Sequence, residues 1–147
     1  MNTEENKRLI LEFMDRAFNQ GDTLAVEEYL AEEAVDHQEP AGVNFMTHLK
    51  AVIVGLRSAF PDLNFEIHDV LAEGDIVAFR STMTGTHMGP FRLGTSPVVL
   101  PTGNRISVQH MHFVRMVDGK GADLWHLWDT VALREQLRTP IGTAYAA

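Results

Sequence analysis

The sequence contains no cysteine in its 147 residues. Disulfide bonds, thiolate metal ligands and a cysteine nucleophile are therefore excluded. Basic residues are also few, with 12 Lys and Arg against 20 Asp and Glu, and they form no cluster. A net charge of −8 without a basic stripe offers no electrostatic surface for a phosphate backbone. We therefore expect no nucleic-acid partner.

Long hydrophobic runs are absent as well. The sequence has no run of about 18 apolar residues, the length that a membrane-spanning helix needs. Its first ten residues, MNTEENKRLI, lack the apolar segment of a secretory signal. These absences predict a cytoplasmic protein without membrane contact. The length fits a single domain, which we place at residues 1–147.

Helical periodicity dominates the first third of the sequence. A first helix is predicted to begin with Thr3 as its cap and to end near residues 19–22. A second helix is predicted over Thr23–Leu30, and a third follows Asn44 as its cap. A short extended segment at residues 34–38 should separate the second helix from the third.

The rest of the sequence indicates β-structure. Asp118-Gly119, between two apolar segments, is a strong hairpin signal. Helices followed by a meander predict an α+β fold, in which a curved antiparallel or mixed sheet wraps around the N-terminal helices and leaves a cavity. The predicted strands are residues 64–71, 76–88, 105–117 and 122–131, with a long loop at 88–103, a final helical turn at 133–137 and a loose tail at 142–147.

Three of the seven histidines flank the predicted hairpin turn. Residues two apart on a strand share a face, so His110 and His112 share the face of Ile106 and Val108, which we assign to the cavity. His126 is expected beside or diagonal to His112 if no bulge interrupts the ladder. One half-buried histidine often only satisfies a hydrogen bond, but three on one apolar face favour a functional site.

The same imidazoles have an alternative interpretation as metal ligands. His110-x-His112 on one strand and His126 on its neighbour would supply three nitrogen atoms. Such a set occurs in zinc sites that keep an open coordination position.

Several longer stretches carry a resemblance to a known family. They are AFPDLNFEIHDVLAEGDIVAFRSTMTGTHMG, PTGNRISV, RMVDGKGADLWHLWD and, near the N-terminus, FNQGD followed by VEEYLAEEAVDH. In order and spacing the sequence resembles the SnoaL-like polyketide cyclases over about residues 5–138, interrupted near residues 91–101. These belong to the nuclear-transport-factor-2-like superfamily, so the resemblance implies its cone-shaped α+β fold. It also implies cofactor-free closure of an aromatic polyketide ring by intramolecular aldol condensation.

The resemblance implies roles for particular residues. His112 falls on the family histidine, His110 on the position of a glutamine, and Asp36 near an asparagine, with His37 beside it. The catalytic aspartate of the family falls on His126. The implied catalytic roles are His126 as base, His112 as the group that polarises the carbonyl, and His110 as a group that orients the substrate. Asp129 would replace His126 as the base if a bulge turned it inward.

Substrate contacts are expected from Asp36 and His37 and from cavity walls formed by Phe79, Met83, Leu124 and Trp128. The implied partner is an aromatic polyketide-like small molecule. We expect no metal and no cofactor, because the cyclases need none. A homo-oligomer, dimer or tetramer, is expected through the outer sheet face, where Gln109, Met111, Phe113, Trp125 and Leu127 form a largely apolar patch.

Other functions remain open because one fold supports many activities. The superfamily also contains epoxide hydrolases, dehydratases, isomerases and non-enzymatic small-molecule-binding modules. The exchange of the family aspartate for His126 is compatible with a different substrate or a different reaction.

Overall fold

The computed structural model describes residues 2–138, so the tail predicted at residues 142–147 lies outside the described residues. Helices dominate the first 59 residues, interrupted by one strand, and the other four strands of a five-stranded sheet follow, which confirms the α+β prediction. The helices are α1 Thr3–Phe13, which continues as a π-helical segment Met14–Asn19, α2 Leu24–Tyr29, α3 Phe45–Ala59 and α4 Thr130–Gln136. The strands are β1 Leu30–Asp36, β2 Asn64–Glu73, β3 Ile76–Thr86, β4 Arg105–Val117 and β5 Lys120–Trp128.

Asparagine side chains start two of the helices. Asn44 Oδ1 accepts a hydrogen bond from Thr47 N at 3.0 Å, which confirms the predicted cap of α3. At α1 the predicted cap was wrong by one residue. Asn2 Oδ1 accepts a hydrogen bond from Glu4 N at 2.8 Å, so Thr3 lies inside the first turn.

The first helical region ends against the sheet, near the predicted stop. Its last turn widens, and Gln20 N donates to Asp15 O at 2.9 Å across five residues. Asn19 then pairs with the backbone of β2, since its Oδ1 accepts from Phe65 N at 2.7 Å and its Nδ2 donates to Phe65 O at 3.2 Å. These two bonds join the helix end to the start of β2.

The sheet is mixed, with the strand order β1-β5-β4-β3-β2. Strand β1 pairs with β5 in parallel, and the other neighbours pair antiparallel. The extended segment predicted at residues 34–38 begins earlier, at Leu30, and ends at Asp36. The last predicted strand, residues 122–131, also shifts towards the N-terminus, because Asp129 caps α4. The parallel pairing sets the end of β1 beside the middle of β5, where Asp36 pairs with Leu124.

A bulge in the β4–β5 hairpin decides which side chains of β5 face the cavity. Asp118 and Gly119 both have positive φ, as the predicted tight turn requires. The prediction assumed an unbroken ladder, and that assumption was wrong. Counting from this turn without a bulge would pair His112 with Trp125. The extra residue Ala122 shifts the pairing by one, so that His112 lies opposite His126.

The core lies between the helices and the concave side of the sheet. Ile10 and Phe13 of α1 and Ile53 of α3 are buried at helical spacing. Burial of each such side chain contributes roughly 1.5–3 kcal/mol. The packing leaves one large cavity, of about 950 Å³, that reaches the inner face of the sheet. Among residues 2–138, no helix is both long enough and apolar enough to cross a membrane.

Candidate active site

The cavity is a largely apolar chamber onto which polar side chains converge from several elements. Phe79, Met83, Leu124 and Trp128, the predicted wall residues, all line it. Its titratable and amide side chains come from the end of β1, the start of α3 and the β4–β5 hairpin. They include Asp36, Gln38, Glu39, His48, His110, His112 and His126. A large apolar pocket with a few converging polar groups is the usual form of a small-molecule site.

Strand alternation brings His110 and His112 to this wall. Alternate residues of β4 are buried and exposed along its whole length, and both histidines are only 8% exposed. Across the ladder His112 lies opposite His126, and His110 lies opposite Trp128. The three histidines that the sequence singled out therefore meet on one face.

A hydrogen-bonded chain links Asp36 to two of these imidazoles. His126 Nε2 lies 2.8 Å from Asp36 Oδ2, and His126 Nδ1 lies 3.3 Å from His110 Nε2. An ionised carboxylate only accepts, so His126 carries its proton on Nε2 and donates it to Asp36. His126 Nδ1 then accepts from the Nε2–H of His110. The chain leaves Nδ1 as the basic nitrogen of His126.

The backbone around Asp36 supports this chain. Gln38 N donates to Asp36 Oδ1 at 2.9 Å, and Gln38 Oε1 accepts from His126 N at 2.7 Å. The end of β1 and the loop after it therefore bind His126 of β5 at two points, through the carboxylate of Asp36 and through the side-chain amide of Gln38. The loop after β1 fixes both partners of the Asp36–His126 pair.

Aromatic rings stack along the same wall. His112 stacks on Phe79, with ring centroids 4.4 Å apart and planes at 7°. His110 lies between His112, at 4.3 Å, and Trp128, at 5.2 Å. These contacts hold the imidazoles in a fixed row and present flat surfaces to the cavity.

Burial keeps the two inner imidazoles neutral. It lowers the pKa of His110 to about 3 and lowers the pKa of His112 well below its usual value, with nearby histidines adding to the effect. Burial alone would raise the pKa of Asp36, but the hydrogen bonds from His126 and from Gln38 N outweigh it and hold that pKa below its usual value. Asp36 is therefore ionised beside neutral His110 and His112 at neutral pH. Among the described residues, Nδ1 of His110 and Nδ1 of His112 are buried without a hydrogen-bond partner.

A second acid–base pair, which the sequence interpretation missed, lies in the same cavity. His48 Nε2 is 3.2 Å from Glu39 Oε1, and burial raises the pKa of Glu39. The sequence signal was the polar run DHQEP, which begins at the last residue of β1 and holds Asp36, Gln38 and Glu39. Arg92, from the long loop, also lines the cavity and is anchored by its Nε, which donates to Ser96 O at 2.9 Å.

His37 was expected to contact the substrate, and the structure places it on the other face of the sheet. Its ring stacks on Trp125, with centroids 4.5 Å apart, and its Nε2 donates to Asp123 Oδ1 at 2.8 Å. Alternation explains the position, because His37 follows the inward-facing Asp36. His37 is therefore not brought into the cavity.

Asp129 is likewise outside the histidine cluster. Its Oδ1 accepts from Ala132 N at 3.0 Å as the cap of α4, and its N donates to Gln109 O at 3.0 Å. A role as base required a bulge that turned Asp129 inward. The bulge instead lies at Ala122 and turns His126 inward.

Comparisons with known proteins agree with this architecture. The family described as SnoaL-like polyketide cyclase matches residues 8–137. TsrD from Streptomyces laurentii is 27% identical, with a TM-score of 0.83 over 95% of this chain and 99% of its own. The hydroxylase candidate AclR from Streptomyces galilaeus is 32% identical, with a TM-score of 0.77 over 92% and 97%. The polyketide cyclase candidate IdmH from Streptomyces antibioticus is 27% identical, with a TM-score of 0.73 over 90% and 97%.

No curated protein matches the sequence. The family match covers nearly the whole of the described chain, and the structural neighbours share its helices and mixed sheet. These findings support a cyclase-like role with a small-molecule substrate. The chain belongs to the SnoaL-like polyketide cyclase family.

Proposed function

We propose that the protein closes a ring of an aromatic polyketide ester by a cofactor-free intramolecular aldol condensation, with His126 as the base. The observation that carries this proposal is the 2.8 Å contact between Asp36 and His126 at the wall of a largely apolar cavity. A carboxylate that accepts from one imidazole nitrogen makes the other nitrogen a better base. Family membership supports the choice of reaction.

The proposed step begins at an acidic carbon of the substrate, between two carbonyl groups. His126 Nδ1 removes a proton from this carbon after the substrate displaces the His110 contact, and Asp36 stabilises the resulting imidazolium. The carbanion then attacks the facing carbonyl carbon and forms the new carbon–carbon bond. The same proton returns from His126 to the alkoxide oxygen, so the addition is balanced without any other reactant.

The two neutral imidazoles serve this step differently. Nδ1 of His112 has no hydrogen-bond partner among the described residues and the residue lines the cavity, so we assign its ring to donate to the carbonyl oxygen where negative charge develops. His110 contacts His126 directly, and we assign it to positioning the base rather than the substrate. The stacked wall of Phe79, His112 and Trp128 suits a flat aromatic substrate.

The decisive experiment measures turnover of aromatic polyketide esters by liquid chromatography with mass spectrometry. The ring-closed product has the mass of the substrate and is separated from it by retention time, and its dehydrated form is recognised by the loss of water. We expect His126→Asn to lower kcat/KM about 10³-fold and Asp36→Asn about 10²-fold. His37→Gln removes the imidazole that binds Asp123 on the outer face of the sheet. It serves as the matched control, and its kcat/KM should change by less than about twofold. Full activity in His126→Asn would remove His126 as the base.

The binding-module alternative predicts a different outcome. Trp128 lines the cavity and Trp125 does not, so quenching in a Trp125→Phe variant reports binding inside the cavity. Saturable quenching without turnover of any ester would favour a non-enzymatic binding protein. Turnover that disappears in His126→Asn while quenching remains would favour the enzyme.

A homo-oligomer through the outer sheet face is part of the proposal. Met111, Phe113 and Leu127 are 51%, 53% and 72% exposed on that face, which is unusual for large apolar side chains in a cluster. We expect a dimer or tetramer in light scattering coupled to gel filtration. Phe113→Lys should shift it towards the monomer, and a wild-type monomer at high concentration would contradict the expectation.

A further inference from the structure

The histidine wall has the geometry of a metal-ion site as well as that of a proton-transfer site. One ring nitrogen from each of His110, His112 and His126 lies within 4.8 Å of the others. His110 Nε2 and His126 Nδ1 are 3.3 Å apart. Two nitrogens bound to one tetrahedral zinc ion, at bonds of 2.0–2.1 Å, are about 3.4 Å apart. The separation of that pair already matches that of two ligands on one cation, and the rings have only to turn so that both lone pairs face the ion.

The carboxylate of Asp36 provides a second feature that is common in metal sites, an acceptor for the other ring N–H of a histidine ligand. Histidine ligands usually donate their other ring N–H to a carboxylate, which fixes the tautomer and orients the ring. His126 does this already, since its Nε2 donates to Asp36 Oδ2 at 2.8 Å and leaves Nδ1 towards the cluster. Asp36 is buried, and Gln38 N holds its other oxygen.

The third ligand is free to complete the set. Among residues 2–138, Nδ1 of His112 has no hydrogen-bond partner, and the ring is held between Phe79 and His110 by stacking. One of its nitrogens already lies within 4.8 Å of the nitrogens that His110 and His126 offer. A metal binds only the neutral imidazole, and the buried, largely apolar surroundings of His110 and His112 offer, within the described chain, no carboxylate contact that would hold either ring protonated.

We propose that His110, His112 and His126 bind one divalent cation of the zinc class through three nitrogen atoms, with Asp36 orienting His126 and the fourth position open to the cavity. Three imidazoles select zinc, cobalt, nickel or copper over magnesium or calcium, which prefer oxygen ligands. This proposal departs from the expectation of no metal, which rested only on the resemblance to the cyclases. The proposed proton transfer needs His126 Nδ1 free, so cation binding and that reaction exclude each other.

Titration of metal-free protein tests the site directly. The protein is purified without a nickel column, stripped with EDTA and titrated with Co²⁺ and Zn²⁺. We expect one equivalent of Co²⁺ to give the intense visible bands of a tetrahedral site and Zn²⁺ to bind with a Kd below about 1 µM. Weak binding of several ions, with the pale spectrum of an octahedral complex, would overturn the proposal.

Variants locate the binding. His110→Asn and His126→Asn should each weaken Zn²⁺ binding by at least about 100-fold, and Asp36→Asn by about 10–100-fold. The matched control is the double variant His37→Gln, His68→Gln, which removes two imidazoles outside the cavity and should bind as the wild type does. Equal loss in the control, or wild-type binding in either cluster variant, would contradict the assignment.

Thermal unfolding keeps the test informative if a variant is unstable. Saturating Zn²⁺ should raise the Tm of the wild type and leave that of His126→Asn unchanged. The readouts also separate the two proposals. Turnover without cation binding overturns only the metal site, whereas tight 1:1 binding without turnover overturns only the proposed reaction. If both hold, stoichiometric Zn²⁺ should abolish turnover and EDTA should restore it.

Discussion

Two histidine–carboxylate pairs lie on the two faces of β5. His126 meets Asp36 on the cavity side, and His37 meets Asp123 on the outer side, both at 2.8 Å. The surroundings differ. Asp123 also accepts from Arg115 Nε at 2.7 Å, whereas the cavity pair has neutral histidines as neighbours. The carboxylate of the inner pair is 5% exposed, against 15% for the outer one.

The comparison shows that the distance between imidazole and carboxylate does not by itself decide whether such a pair can transfer a proton. Outside, the half-exposed His37 shares the Asp123 carboxylate with Arg115, and the hydrogen bonds from His37 and then from Arg115 hold the pKa of Asp123 below its usual value. Inside, His126 is the donor to Asp36 from the opposite strand, and the apolar cavity strengthens that interaction. The inner pair therefore has the means to hold and release a proton.

The largest effect should come from turning each histidine into a second carboxylate. His126→Asp sets two carboxylates side by side in the cavity, and we expect it to lower the free energy of unfolding at pH 7 by about 3–5 kcal/mol. His37→Asp makes the same change outside, where Arg115 and water screen the repulsion, and should cost under about 0.5 kcal/mol. Urea denaturation measures both.

A second substitution sharpens this test. Asp36→Asn in the His126→Asp background removes one of the two charges and leaves an amide that can donate to the new carboxylate. We expect it to recover most of the lost stability. If the two single aspartate variants were equally stable, the inner and outer pairs would have the same environment, and the comparison would fail.

The next effect is a dependence of stability on pH to which the cavity face contributes two histidines and the buried His87, whose pKa burial also lowers, contributes a third. Burial lowers the pKa of His110 from 6.5 to about 3, and the pKa of His112 is lowered too, so below pH 6.5 the unfolded chain binds protons that the folded chain does not. The free energy of unfolding must then fall as the pH drops, by up to about 1.4 kcal/mol per pH unit for each histidine. We expect a total loss of about 2–3 kcal/mol between pH 7 and 5.5.

His112→Leu removes one of these groups and should roughly halve the part of the slope that the cavity face supplies, whereas His37→Gln on the outer face should leave the slope unchanged. The lowered pKa of Asp36 acts in a different range, because stability from an ionised carboxylate is lost only below its usual value of about 3.8. Urea denaturation at pH 7.0, 6.5, 6.0 and 5.5 therefore isolates the histidines. A flat profile over this range would show that the inner imidazoles are solvated.

Much of this arrangement could be predicted from local sequence signals. Helical spacing, the Asn44 cap and the Asp118-Gly119 turn gave the elements, and alternation along β4 gave the cavity face of His110 and His112. These signals act over a few residues and do not depend on how distant segments meet. The family motifs added the fold and the position of His126 relative to the cyclase pattern.

The Asp36–His126 contact could not be predicted in the same way. The two residues are 90 positions apart, and their contact depends on the parallel pairing of β1 with β5, which no local pattern specifies. The bulge at Ala122 also had only a weak signal, the neighbouring Gly121. Without it, alternation would have set Trp125 in the cavity and His126 outside.

The smallest effect concerns Asp129, the other carboxylate proposed as a base. It caps α4 from outside the cluster, so Asp129→Ala should cost about 1 kcal/mol of stability through the lost cap, while Asp129→Asn retains a capping side chain and should cost less. Neither variant should change kcat/KM by more than about twofold, because the base lies on the other face of the strand. Loss of turnover in Asp129→Asn with stability intact would move the base from His126 to Asp129. It would also mean that the inner pair orients the substrate instead of taking its proton.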